Sequence, residues 1–359
     1  MLQVELLKLV QFRNYSQQNW VFRNRIQAVC GKNGTGKTNL LDALYYLGLT
    51  KSYTPKNDAQ NIQQGQQGMR IEGQFIINNQ PYKVEVIIRE SGKKELIVNE
   101  EPIKKITNYI GLLPFVMVTP DDTSIITQSS ELRRKYIDAL LSQTSPTYLQ
   151  HLIQYNKLLL QRNSLLKQTW PNQPNRDLLD IIDDQLSRHG DEIYSSRNKS
   201  IPLLIEKILY YYQFLAQAND KLNIQYESSL HQKKMLETLQ VNYHKDLSAQ
   251  RTTEGIHRDD LVMRMGEEPC KIMASQGQRK SLLFAMKMAE WDIIKQHKNY
   301  PPILLLDDVF EKLDIDRLHQ LLSWVAFECG AQVFITDTDV ERVENLFNKI
   351  GANFQMSMV

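Results

Sequence analysis

Cysteine is scarce in this chain. The three present, Cys30, Cys270 and Cys329, stand at no paired spacing. That excludes a disulfide framework and fits a reducing cytosol. Together with the seven histidines they form no metal-ligand spacing either, so no metal site built from these residue types is expected. Long apolar runs are also missing: none nears the roughly 18–20 residues of a membrane span. The first residues, MLQVELLKLVQFRNY, lack the basic-then-apolar plan of a signal peptide. The expectation is a cytoplasmic protein with no membrane partner. Charge of one sign is lacking as well. Lys and Arg number 43 against 41 Asp and Glu, leaving +2, which neither demands nor excludes a nucleic acid.

What is present is a glycine loop. GKNGTGKT meets the pattern G-x-x-x-x-G-K-[ST] through Gly31, Gly36, Lys37 and Thr38. Glycines let the backbone wrap an anion with its N–H groups inward. Lys37 adds a charge at the β- and γ-phosphates, and the Thr38 hydroxyl suits Mg²⁺. The candidate nucleotide loop is therefore Gly31, Lys32, Asn33, Gly34, Thr35, Gly36, Lys37 and Thr38. Before it, IQAVC reads as a short strand. After it, Leu40, Leu41, Leu44 and Leu47 recur at helical spacing. Strand, loop and helix in that order place phosphates at a helix N-terminus. The bland alternative is a glycine-rich turn that binds nothing.

The 359 residues, 42 % hydrophobic, can bury one large core or two smaller ones. Residues 1–30 read as strands, with a turn at RNYSQQ. Residues 69–100 alternate apolar and polar with turns at NNQP and ESGK, as antiparallel hairpins do. QNIQQGQQG reads as a polar surface loop. From about Ser129 apolar residues recur at three- and four-residue steps, broken at PNQPNRD. Heptads are not sustained, so a compact bundle is expected there and not a long coiled coil. KLNIQYESSL reads as a strand, and from Arg251 strands and helices alternate again. The expected divisions are 1–128 and 251–359 for an ATPase lobe, and 129–250 for a helical lobe.

A nucleotide loop needs a carboxylate on a neighbouring strand to hold its metal. In PPILLLDDVFEKLD, Ile303–Leu306 is a buried-strand run, and Asp307 and Asp308 stand at its C-terminal end, where open α/β sheets bind ligands. Asp307 is expected to hold Mg²⁺, and Asp308 to polarise the attacking water. The alternative is a pair of solvated turn acids. The long separation of Lys37 from Asp307 points to a large insert, and the helical block is the candidate. Just upstream, MASQGQRKSLLFAMKMAEWDII opens a helix at Ser275, Gly277 and Gln278. Ahead of LLLDD this resembles the signature motif of ABC-type ATPases, which closes on the γ-phosphate held by a partner subunit. EKLD then falls at that class's D-loop, with Leu313 and Asp314.

The order of FRNY, NGTGKTNLLDAL, LRRKYID, YNKLLLQRNSLLK, GIHRDDL, SQGQRKS and LLLDDVFEKLD resembles that of the RecF family, bacterial DNA-repair ATPases related to the heads of SMC proteins. The similarity spans almost the whole chain. It implies an α/β fold: an ABC-type ATPase head, that is, a P-loop sheet with flanking antiparallel strands, plus an inserted helical lobe. It implies ATP and Mg²⁺ as cofactors, an ATP-dependent homodimer, and slow, DNA-stimulated hydrolysis. It further implies binding to double-stranded DNA and gap junctions, and work with RecR and RecO in loading RecA. The chain departs from the pattern in several places. Gln276 stands where related motifs often carry a basic residue or glycine. Ile256 stands where proline is usual. FVMVTPDD lacks a Q-loop glutamine, and Asp308 replaces a longer Glu. These leave nucleotide binding intact and bear on the speed of hydrolysis.

Three rival readings fit less of the pattern. An ABC transporter ATPase would have a smaller insert. A small-molecule kinase would not need SQGQ ahead of LLLDD. A structural DNA-binding protein with a vestigial ATP site would not hydrolyse ATP. For DNA the candidate cations are Arg133, Arg134, Arg162 and Lys167, with Lys135 and Lys157 beside them, because Asp138 is the only carboxylate between Arg133 and Lys167. The alternative is a solvated helical face or a lobe junction. His257 and Arg258 suit either DNA or partner contact, or a structural turn. Tyr210–Tyr212 suit either base stacking or packing.

Overall fold

Two sheets organise the N- and C-terminal parts of the chain. Elements are numbered along the sequence, in a computed structural model that describes residues 1–54, 57–169, 174–216, 220–309 and 315–359. The first sheet is antiparallel. Its strands β1 (Leu2–Phe12), β2 (Tyr15–Val21), β4 (Met69–Ile77), β5 (Gln80–Ile88), β6 (Lys94–Val98) and β7 (Glu101–Pro102) lie in the order β2-β1-β4-β5-β6-β7. Alternation of apolar and polar residues drives it, since each strand buries one face. Asn78 and Asn79 both take positive φ, which suits the tight β4–β5 hairpin. The first turn is shorter than the sequence reading has it. Phe12 pairs with Tyr15, so only Arg13 and Asn14 turn, and Ser16 to Gln18 extend an edge strand whose outward residues are polar.

The second sheet is parallel throughout. Strands β3 (Ile26–Cys30), β8 (Phe115–Val118), β12 (Ile303–Leu306), β13 (Val333–Asp337) and β14 (Phe354–Met358) run in the order β14-β3-β13-β12-β8. Strands β3, β8, β12 and β13 are buried at every residue, as unbroken apolar runs in a covered parallel sheet must be. Helices α1 (Lys37–Leu49), α9 (Gln276–Lys298), α10 (Ile315–Ser323) and α11 (Val340–Ile350) belong to the same unit. That unit comprises Met1–Asp122, Tyr210–Gln217 and Gln276–Val359.

The other unit is Thr123–Leu209 with Ala218–Ser275. It holds α2 (Ser124–Thr127), α3 (Ser130–Thr144), α4 (Pro146–Thr169), most of α5 (Arg176–Ala216), α6 (Met235–Val241), α7 (Tyr243–Ala249) and α8 (Cys270–Met273). A small sheet joins them, with β9 (Leu222–Glu227), β10 (Asp260–Met265) and β11 (Glu268–Pro269) in the order β11-β10-β9. Helix α5 runs for 41 residues, about 60 Å at 1.5 Å per residue. The expected break at PNQPNRD falls partly outside the described residues.

The units divide at different places from those read in the sequence. Residues 251–275 stay with the helical unit, because β10 pairs with β9 and Asp259 is bound within that unit. Residues 210–217, inside the expected helical lobe, group with the unit that holds the two larger sheets, where Tyr211 meets Trp324 edge-on at 6.2 Å. No helix among the described residues is long and apolar enough to cross a membrane.

Candidate functional site

The C-terminal ends of the parallel strands meet a cavity of about 290 Å³ whose lining includes Asn33, Gly36, Lys37, Thr38, Pro120, Asp307 and Asp308. The sequence-predicted loop and carboxylates thus converge. Lys37 is buried, its ammonium donating to the carbonyls of Gly31 at 2.8 Å and Lys32 at 3.1 Å. These bonds close the loop into a ring with the charge at its centre. The Thr38 hydroxyl lies 3.1 and 2.9 Å from the two Asp307 oxygens. Burial raises the Asp307 carboxyl above its usual range, while hydrogen bonds from Thr336 and Thr38 work against that shift. A hydroxyl and a carboxylate this close, both hard oxygen donors, fit Mg²⁺, which keeps most of its waters and takes one or two protein ligands.

Sequence reasoning missed Thr336. Its hydroxyl donates to Asp307 at 2.7 Å and accepts the backbone N–H of Asp308 at 2.9 Å. Asp308 turns out of the strand at φ 51, and this bond helps to hold that strained backbone. A signal was available: VFITD, like LLLDD, is an apolar strand ending in polar residues at the same sheet edge.

FRNY holds the glycine loop in place. Asn14 donates to the Thr35 carbonyl at 2.7 Å, and the Tyr15 hydroxyl to the Gly36 carbonyl at 3.0 Å. Arg13 donates to Asn39 at 2.7 Å and pairs with buried Asp42. The β1–β2 turn therefore clamps both the loop and the helix after it. Gly36 has no substitute here. Its φ is 119, and a Cβ would lie 2.5 Å from the Asn14 amide nitrogen.

Ser275 directly precedes α9 and is exposed. Gly277 packs under Arg317, whose Nη1 would lie 2.5 Å from a Cβ there. Gln278 is half-buried in the first turn of α9. That turn carries no acidic residue, so its partial positive end is unopposed within the turn. Leu313 and Asp314 lie outside the described residues.

The DNA candidates need correction. Arg162 is wholly buried. It donates to Asp183 at 2.6 Å, Asp246 at 2.7 Å and Thr252 at 2.9 Å, so it cannot touch DNA. Arg133 pairs with Asp260 at 2.6 Å. Arg134 donates to the Asp259 carbonyl at 2.7 Å. Lys135 pairs with Glu131. Lys157 and Lys167 are exposed. For Arg133 and Arg162 the acids arrive from other elements, which the local sequence does not show.

The most specific motifs meet instead in one buried polar network. Arg197 donates to Asp259 and Asp138, each at 2.7 Å, and to Tyr148 at 3.1 Å. Asn163 accepts from the Thr252 backbone at 2.7 Å. His257 bonds Tyr155 at 2.8 Å and the Thr252 carbonyl at 3.1 Å. A carbonyl only accepts, so Nε2 carries the proton and Nδ1 takes the tyrosine's. His257 is thus a structural residue, while Arg258 is exposed. Of the tyrosines, Tyr211 and Tyr212 are buried and Tyr210 is exposed.

Burial, chiefly, pushes the His257 imidazole from 6.5 down to about 4; the bond to the Thr252 carbonyl opposes the shift, as does Asp246, while Arg258 and Arg134 add to it. The unfolded chain takes this proton first. Its contribution to stability is therefore full above pH 6.5 and is lost as pH falls towards 4. About 2 kcal/mol should disappear between pH 7 and 5. Urea unfolding of the wild type and of His257→Gln across that range checks this. A variant whose stability falls as steeply as the wild type's would disprove the assignment.

The chain is similar to known proteins along nearly its whole length. The RecF/RecN/SMC N-terminal domain family matches residues 3–359. A DNA replication and repair protein RecF of Flavobacterium johnsoniae is 37 % identical over 94 % of this chain and 94 % of its own. The Cytophaga hutchinsonii RecF is 36 % identical over 99 % of this chain and 94 % of its own. Among solved structures, the recombination mediator protein RecF with ATP, in the RecFOR pathway, superposes with a TM-score of 0.86 at 28 % identity, covering 94 % of this chain and 92 % of that one. An Smc head domain from Pyrococcus furiosus shares the fold at a TM-score of 0.56 and 13 % identity, over 99 % of this chain and 93 % of that one. The architecture is thus an α/β SMC-head-like fold, and with such matches over nearly its full length the chain belongs to the RecF family of DNA replication and repair proteins.

Proposed function

We propose that this chain is an ATP-dependent DNA-binding protein of recombinational repair and replication-fork maintenance in the cytoplasm, and a slow, DNA-stimulated ATPase active as a homodimer. The observation that carries the ATP reading is the contact of Thr38 with Asp307, at 2.9 Å, beside Lys37 and Asp308 on one cavity. Lys37 and the loop N–H groups bind the phosphates. Thr38 and Asp307 hold Mg²⁺, which when bound spreads the developing negative charge. Asp308, turned into the cavity, orients and polarises the attacking water. Ser275, Gly277 and Gln278 cap the γ-phosphate of a partner subunit, with Leu313 and Asp314 in the D-loop. The similar RecF–ATP structure of the RecFOR pathway supports ATP as the nucleotide. The name of that pathway supports RecR and RecO as partners. The help in loading RecA, and DNA at gaps and single-strand junctions as the bound form, rest on the order of the sequence motifs alone. DNA contact falls to exposed cations such as Lys157 and Lys167, mainly through the backbone phosphates.

The test is sedimentation with and without ATP. Asp308→Asn should keep ATP bound and trap the dimer. Ser275→Arg should bind ATP as a monomer and fail to dimerise. If ATP leaves wild-type sedimentation unchanged, residues from two subunits do not meet and the trans-site reading is wrong. Single-turnover hydrolysis separates a working ATPase from a DNA-binding protein with a vestigial site.

A further inference from the structure

Helix α9 begins at the signature and carries two buried charges further along, Lys287 and Glu290, 3.5 Å apart. The Lys287 ammonium also donates to the Tyr53 hydroxyl at 3.1 Å. That hydroxyl donates to Asp122 Oδ1 at 2.7 Å, and Asp122 Oδ2 accepts the Thr119 backbone N–H at 2.8 Å. The Thr119–Asp122 turn includes Pro120, which lines the phosphate cavity. Tyr53 is fixed at its other end too. Its backbone N–H donates to Asp42 of α1 at 2.6 Å, and its ring meets Tyr45 edge-on at 5.0 Å. One tyrosine therefore joins the helix after the nucleotide loop, the turn on the cavity wall, and the helix that begins at the signature.

We infer that Tyr53 and Lys287 are positioning residues that couple occupancy of the phosphate cavity to the setting of α9, and hence to closure on a second copy of this chain. This rests on the signature reading given above. The segment 115–122 has no glutamine to report on the γ-phosphate, and Asp122 is its buried, bonded carboxylate. A phosphate that shifts the Pro120 turn moves Asp122. Tyr53 and Lys287 must follow, because a buried hydrogen bond left unmade costs the desolvation of both groups. Lys287 is shared between Tyr53 and Glu290, with the longer contact to Glu290. Both are among its partners, so its ammonium can shift between them, and hydrogen-bond networks of this kind carry small displacements from one site to another.

The experiment uses the full chain with Tyr53→Phe, which removes one oxygen and keeps the ring, and with Lys287→Met as a second variant. ATP affinity is measured at protein concentrations below dimerisation, and ATP-driven dimerisation by sedimentation. Tyr53→Phe should bind ATP within about twofold of wild type and dimerise about tenfold more weakly, within the usual range of coupling between sites. Unchanged dimerisation overturns the inference. So does a parallel loss of ATP affinity and thermal stability in both variants, which marks a purely structural cluster. The wild-type control separates the two levels: if it fails to dimerise with ATP, the trans-site reading itself has failed and this coupling falls with it.

Discussion

Lys37→Ala is expected to abolish useful ATP binding while leaving the fold intact. Among the described residues that line the cavity, the ammonium is the one buried positive charge, and in the proposed site it faces the phosphates. Truncating one partner of a buried, hydrogen-bonded charge pair costs about 3 kcal/mol or more, roughly 150-fold in affinity. The lysine's partners in the structure are two loop carbonyls, neutral groups whose loss of one donor costs little beside a phosphate's. Calorimetric titration with MgATP should therefore show the loss, and the melting temperature without nucleotide should barely move. The rise in melting temperature that ATP gives the wild type should vanish, since that rise is mass action on a site no longer present. Wild-type affinity in the variant would end the assignment of the cavity to ATP.

Arg162→Met is expected to have the largest effect on stability, near 3–5 kcal/mol, the usual cost of leaving buried charge uncompensated. Both acid partners, Asp183 and Asp246, are buried with it. Burial holds the Asp183 carboxyl above its usual range even with the arginine present. The variant should therefore unfold at markedly lower urea. Replacing Asp183 and Asp246 by asparagine in the same chain should recover part of the loss, because neutral amides cost less to bury. If Arg162→Met alone matches the wild type in urea, the network is not what holds these helices. The same reasoning makes Arg162 a poor probe of DNA binding: a variant that loses DNA because it has unfolded says nothing about the surface. Lys157 and Lys167 are exposed and carry no such burden.

The phosphate-binding loop, the strand before it, the helix after it and the two carboxylates could all be read from the sequence, because each is a local pattern. A loop fixes its own backbone through its glycines, and a buried parallel strand announces itself as an unbroken apolar run that ends in Asp307 and Asp308. The hairpins of β4 to β6 were equally visible, since alternation, an Asn–Asn turn and a Ser–Gly turn are near-neighbour effects. Other assignments were beyond such reading. Whether Arg162 and Arg133 face DNA or are tied into the fold stayed open in the sequence, because their carboxylates, Asp183, Asp246 and Asp260, are distant along the chain and meet them only after folding. The clamp of Arg13, Asn14 and Tyr15 on the loop, the bond from Thr336 to Asp307, and the return of residues 251–275 to the helical unit are also contacts between distant segments. Sequence period reports which face of an element is buried. Which charges share that buried face is decided by how separate elements pack, and here that packing separated the cations that hold the fold, such as Arg162, from those that stay exposed, such as Lys157 and Lys167.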